Sequence, residues 1–170
     1  MNTMRTLRIE KITLNIGTGK EVTKLDKALK LLEMITGAKP VKTVTKMRIP
    51  NWGLRPGLPI GCKVTVRRGA DELLRRLLEA INHRLAEKQF DEQGNVSFGI
   101  PEYLEIIGMK YVPEIGIMGL QACVTLERPG YRVKRRRVLA CQPGKHHQIT
   151  KAEAIAFMQS SFNVKMGEAE

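Results

Sequence analysis

The chain has 170 residues, 42 % of them apolar, enough for one domain with a real core. Its 29 Lys and Arg against 17 Asp and Glu leave a net charge of +12, which argues for a polyanionic partner. No apolar run approaches the ~18 residues of a bilayer-spanning helix. The opening MNTMRTLRIEK lacks the apolar core of a signal peptide. Cys62, Cys123 and Cys141 share no CxxC spacing, which fits reduced thiols in a cytoplasm rather than a disulfide framework or a zinc site.

Residues 8–16 alternate, with Ile12, Leu14 and Ile16 on one side and Lys11, Thr13 and Asn15 on the other, and predict a half-buried strand. The GTGKE that follows fits neither GxGxxG nor the P-loop spacing, so it is read as a chain reversal. Residues 23–36 repeat Leu25, Ala28, Leu29, Leu32 and Ile35 at helical spacing, with Gly37 as the stop.

Residues 39–69 carry eight Lys and Arg and no acid. Their ends, VKTVTKM and GCKVTVRR, predict two strands. Between them, residues 48–59 are too rich in Pro and Gly for regular structure. A basic loop this long, with Trp52, Arg48 and Arg55, suits a ribose-phosphate backbone. The alternative is a solvated hairpin tip with Trp52 folded onto the core. Past the loop, Cys62, Val64 and Val66 share one face of the second strand and Lys63, Thr65 and Arg67 the other.

Residues 70–90 predict the longest helix, N-capped by Asp71, with Leu73, Leu74, Leu77, Leu78, Ile81 and Leu85 as its apolar stripe. Arg75, Arg76 and Arg84 form its solvated side, and His83 is read as structural. A turn at 91–95 leads to a short strand with Val96, Phe98 and Ile100 facing inward. A Gly- and Pro-rich connection bearing Glu102, Glu105 and Glu114 leads to another strand, with Met118, Leu120, Ala122, Val124 and Leu126 on its core side and Gln121 and Thr125 opposite. Residues 127–147 hold seven Lys and Arg and one acid, and are expected to order only against a polyanion. Thr150 and Glu153 form a capping box for the last helix, and residues 163–170 are expected to fray.

The sum is a single domain over residues 1–170 of α+β class. It is a two-layer sandwich: an antiparallel sheet, helices packed on one face, and a polar side left for RNA. A basic loop (46–59) and a basic segment (127–147) extend it. No nucleophile, base or metal set clusters, so no catalytic residue, metal or cofactor is expected, and an RNA-acting enzyme fits poorly. A free-standing RNA chaperone and a membrane-surface protein are two further rival readings.

Four strings occur in order: IEKITLNIGTG at 9–19, LRPGLPIGCKVTVRRG at 54–69, GNVSFGIPEYLEIIGMKYVPEIGIMGL at 94–120, and RPGYRVKRRR with GKHHQITKAEA across 128–154. Together they closely resemble the large-subunit ribosomal protein five family, the carriers of 5S ribosomal RNA. The basic 128–147 segment resembles the archaeal and eukaryotic branch, and the short length the archaeal one. The resemblance implies a cytoplasmic, ribosomal protein of the central protuberance. Its implied partners are 5S rRNA, large-subunit rRNA, P-site tRNA, neighbouring central-protuberance proteins and, through an inter-subunit bridge, small-subunit ribosomal protein thirteen. Asn15 and Thr65 match family RNA contacts. A third, a Gln in many bacterial members, is Ala38 here, beside Lys39. The 5S-binding set is then Lys11, Thr13, Asn15, Lys39, Lys63, Thr65 and Arg67. Lys46, Arg48, Trp52 and Arg55 make the tRNA-contacting loop, and Arg132, Lys134, Arg135, Arg136 and Arg137 contact other rRNA.

Overall fold

A computed structural model describes residues 2–167. Five strands, β1 (Arg8–Gly17), β2 (Val41–Val44), β3 (Pro59–Val66), β5 (Val96–Ile100) and β6 (Leu120–Glu127), form one antiparallel sheet in the order β2-β3-β1-β6-β5. The alternation read in β1 places Ile12, Leu14 and Ile16 at 0–3 % exposure. With Cys62, Val64, Ala122, Val124 and Phe98 they make the apolar face of the sheet. Helix α1 (Val22–Thr36) lies against β3, and α2 (Ala70–Ala80) against β1. Helix α4 (Lys151–Phe162) adds Ala154, Met158 and Phe162 to the same core. All the apolar stripes therefore meet on one side of the sheet, the two-layer α+β sandwich expected.

Helix α1 ends as its sequence predicts, with Gly37 left-handed at φ 66° and its N–H bonded to the Glu33 carbonyl. Its stripe differs in one residue: Leu31 is fully buried, while Leu29 packs at the core margin. Helix α4 carries the expected capping box: Glu153 N–H donates to Thr150 Oγ1, and Thr150 N–H to Glu153 Oε2. The Thr150 amide leads in lowering the Glu153 pKa, with the Arg128 guanidinium adding to it.

Several expectations are corrected. The helix from Ala70 stops at Ala80, so α1, with 15 residues against 11, is the longest. Asn82 and His83 both turn left-handed (φ 54° and 55°), which ends a helix. The His83 imidazole Nδ1 lies 3.1 Å from the Phe162 carbonyl, a structural role as expected. Leu85 is buried from a two-residue strand, β4 (Arg84–Leu85), and shares helical spacing with α2 only by coincidence. Gly69, not Asp71, is the N-cap; Asp71 and Glu72 sit in the first turn, where carboxylates favour the helix dipole. Residues 163–167 do not fray: Val164 is 4 % exposed, and β7 (Lys165–Met166) pairs in parallel with β4. The rest of that stretch, 168–170, lies outside the described residues. The first basic strand is also shorter than VKTVTKM, ending at Val44, and β6 begins at Leu120, after Met118, which packs at the core margin.

Two glycines set close approaches. A Cβ on Gly61 would stand 2.6 Å from the Ile16 carbonyl oxygen, where β3 crosses β1. Gly94, at φ 77°, faces Ile149, whose Cγ2 would lie 2.5 Å from an added Cβ. That contact seats the 91–95 turn against the start of α4.

Candidate nucleic-acid interface

Strand register converts the polar alternation into rows across the sheet. Val41, Lys63, Asn15, Gln121 and Gly99 stand opposite one another in turn, one from each strand. The next row is Thr65, Thr13, Cys123 and Ser97. Lys11 and Thr125 begin a third, with Arg67 just beyond the end of β3. The hydroxyls of Thr13 and Thr65 lie 3.4 Å apart, and either can donate. Small hydroxyl and amide groups thus floor the face, with Lys11, Lys63 and Arg67 among them. Gly17 and Gly99 add no bulk, and a Cβ on either would meet nothing within 4 Å. Such a face lets a ribose-phosphate backbone come close to main chain and short side chains.

Six of the seven residues assigned to 5S rRNA (Lys11, Thr13, Asn15, Lys63, Thr65, Arg67) share this face. Lys39 is exposed just before β2, at the sheet edge. The assignment omitted Gln121, Cys123 and Ser97, which complete the rows. Alternation marks them as outward, and only the pairing shows that they are neighbours of Asn15 and Thr13.

The loop at 46–59 is more ordered than its prolines and glycines predict. Ile49 and Leu54 exchange backbone hydrogen bonds of 3.1 and 3.0 Å around a 3-10 turn, Pro50–Trp52. Thr45 donates through both its N–H (2.9 Å) and its Oγ1 (3.0 Å) to the Leu58 carbonyl, which closes the base of the loop. Leu54 turns inward at 8 % exposure, while Trp52 stays 66 % exposed. A tip with Trp52 on the core is therefore set aside. Lys46, Arg48 and Arg55 are exposed beside it. The ammonium of Lys20 sits next to Gly53, a cation that no motif in the sequence placed there.

The segment at 127–147 is folded onto the molecule, contrary to the expectation that it orders only against a polyanion. Its start is buried: Glu127 and Arg128 are each 4 % exposed. Arg8 reaches Glu127 Oε1 at 2.6 Å, and Arg135 reaches Oε2 at 2.9 Å. Arg135 also lies 3.2 Å from Glu10. Glu10 is available because the β1–β6 register slips between Ile9 and Lys11, a bulge that brings Glu10 and Lys11 to the same face. Arg128 donates to the His147 and Gln148 carbonyls (3.3 Å each) and pairs with Glu153 at 2.6 Å. The Tyr131 hydroxyl donates to the His147 carbonyl and accepts from the Ile149 N–H, and burial raises its pKa. Within the segment, α3 (Arg132–Arg135) leads to an exposed tip at residues 136–141. Arg132, Lys134, Arg136 and Arg137 are exposed, and Arg136 Nε donates to the Leu139 carbonyl. Arg135, expected on rRNA, has its guanidinium engaged by two carboxylates.

Among the described residues no three His, Cys, Asp or Glu side chains gather to hold a metal ion, and no helix is long and apolar enough to cross a membrane. The family model "Ribosomal protein L5" matches residues 2–55, and the model for the C-terminal part of the same ribosomal family matches residues 59–157. The "Large ribosomal subunit protein uL5" of Nanoarchaeum equitans is 50 % identical over 165 residues, 96 % of this chain and 97 % of that protein. Its counterpart from Sulfurisphaera tokodaii is 49 % identical over 170 residues, covering 99 % and 96 %. That of Methanobrevibacter smithii is 44 % identical over 165 residues, covering 96 % and 97 %. With both family models matched in order and archaeal relatives aligned from end to end, the chain belongs to the ribosomal protein L5 family, in its archaeal form.

Proposed function

We propose that this chain, as a structural constituent of the large ribosomal subunit and not an enzyme, binds 5S rRNA and helps attach it in the central protuberance. The observation that carries the reading is the continuous polar face in which Asn15, Thr13, Thr65 and Lys63 stand in register between strands. Hydroxyl and amide groups there suit ribose 2′-OH groups and base edges, and the cations supply the salt-dependent part of affinity. The exposed loop with Lys46, Arg48, Trp52 and Arg55 projects past that face and meets a different RNA, the P-site tRNA. Arg132, Arg136 and Arg137 meet large-subunit rRNA. A contact with small-subunit ribosomal protein thirteen bridges the subunits.

Footprinting of purified 5S RNA with and without the protein tests the central claim. Protection of one compact region is expected, reached in Asn15→Ala only at about tenfold higher protein concentration. An unchanged cleavage pattern at saturating protein would overturn it.

A further inference from the structure

The folded basic segment does more than add charge: it walls one end of the polar face and leaves a cleft of about 880 Å³ between itself and the sheet. That volume lies within the roughly 300–1,000 Å³ of small-molecule sites. Its floor is the third row, from Arg67 past Lys11 and Thr125 to Asn95 at the edge of the sheet, with Cys123 and Ser97 of the second row bordering it. Crossing from β3 to β5 takes three strand spacings, about 14 Å. The wall carries Lys134 and Gln142.

Charge divides the cleft along its length. Arg67, Lys11 and Lys134 lie toward one end, and the acid that lines the cleft near them, Glu10, is paired with Arg135 at 3.2 Å and Lys11 at 3.8 Å. The other end holds Gln93, Ser97 and Asn95, with Asp91 and Glu92 beside them, Asn95 donating to Asp91 at 3.2 Å. Among the described residues the side chains of Arg67, Lys134, Gln93, Ser97 and Thr125 make no hydrogen bond or ion pair with the rest of the protein. The cleft is a folded space with unspent cations at one end and unspent donors and acceptors at the other.

We infer that this cleft takes a single unpaired nucleotide of the bound RNA, its phosphate against Arg67, Lys11 and Lys134 and its base edge against Gln93, Ser97 and Thr125. The inference rests on the RNA-binding reading above and sharpens it. A duplex presents a broad convex surface that matches the flat rows but cannot enter between the sheet and the segment. An extruded base exposes the hydrogen-bonding edge that unpaired RNA offers to protein. The cleft also opens directly onto the row of Thr13 and Thr65, so a strand lying on the polar face reaches it without a break.

Thr125 lies on the cleft floor beyond the flat rows, and a thiol placed there reports on its occupancy. In full-length protein carrying Thr125→Cys, Cys123→Ser and Cys141→Ser, that thiol is the accessible one. Cys62 is fully buried and its thiol is pushed up to about 11 by burial. Alkylation of the introduced thiol by N-ethylmaleimide is followed with 5S RNA, with a blunt RNA duplex, or with free 5′-mononucleotides. Saturating 5S RNA is expected to slow the reaction about tenfold, the duplex and the free nucleotides to leave it nearly unchanged. Gln93→Trp, which fills the cleft from the 91–95 turn, is expected to weaken 5S RNA binding about tenfold and spare duplex binding, with an unchanged melting curve. Bound 5S RNA that leaves the introduced thiol reactive overturns the inference alone. Equal protection by the duplex overturns it too, and protection by free mononucleotides without RNA overturns the RNA-borne source. Failure of 5S RNA to bind at all, read by mobility shift, overturns the reading on which it rests and the inference with it.

Discussion

The loop at 46–59 and the segment at 127–147 are both basic and both broken by Pro and Gly, yet their physics is opposite. In the loop, the cations face water, and the internal hydrogen bonds are backbone ones or come from Thr45. In the segment a single acid changes the outcome. Glu127, 4 % exposed, draws in Arg8 and Arg135, and the neighbouring Arg128 is buried against two carbonyls and Glu153. Counting Lys and Arg therefore overstates the charge that the segment can offer a phosphate. Arg135 contributes to holding the fold, while Arg136 and Arg137 are carried outward by it.

The largest expected effect tests that anchoring. Arg128→Leu removes one donor each from the His147 and Gln148 carbonyls and from Glu153 and should cost about 3 kcal/mol of folding stability, the low end for breaking a buried pair because Glu153 stays partly exposed. A urea midpoint within error of wild type would show that the segment is not anchored through Arg128. On the polar face, Asn15→Ala and Thr65→Val should each weaken 5S RNA binding by about 1–2 kcal/mol at constant salt and leave the fold intact. Wild-type affinity in both variants would move the RNA elsewhere.

A smaller effect separates the arginines. Replacing Arg136 and Arg137 by Gln should flatten the salt dependence of RNA binding by about 0.9 for each phosphate no longer neutralised, if the bound RNA is helical, with little change in melting. Arg135→Gln should do the reverse, lowering the melting temperature and barely moving the slope. If all three variants gave the same slope change, the division between anchoring and binding arginines would collapse. The smallest effect on stability belongs to the loop. Trp52→Ala should stay within about 0.5 kcal/mol of wild type, as exposed substitutions do. Ribosomes carrying it should hold P-site tRNA less tightly in filter binding, with 5S binding unchanged. Weakened 5S affinity instead would join the loop to the polar face.

The outward faces of β1, β3 and β6 were legible in the sequence because alternation has a strict period of two. Their alignment into rows was not, since it depends on pairings such as Thr13 with Cys123, far apart in the chain. The bulge at Glu10 left a readable trace: Ile9 packs at the core margin and Ile12 in the core, yet they are three residues apart, an odd step that a regular strand does not allow. The premature end of α2 left none, because Leu85 keeps the helical spacing after the helix has stopped. The anchoring of the basic segment was hidden for another reason. Glu127 reads as one acid among many cations until Arg8, 119 residues earlier, is placed beside it.

Gly99 gives the polar face a built-in gauge. It stands in line with Gln121 and Asn15, takes no left-handed backbone, and has nothing within 4 Å of where a side chain would begin. Alanine, valine and leucine placed there in turn would thicken the surface step by step while the sheet beneath stays as it is. The size at which RNA affinity first falls would then measure the clearance between protein and nucleic acid at that row, a distance obtained by titrating volume instead of by imaging the complex.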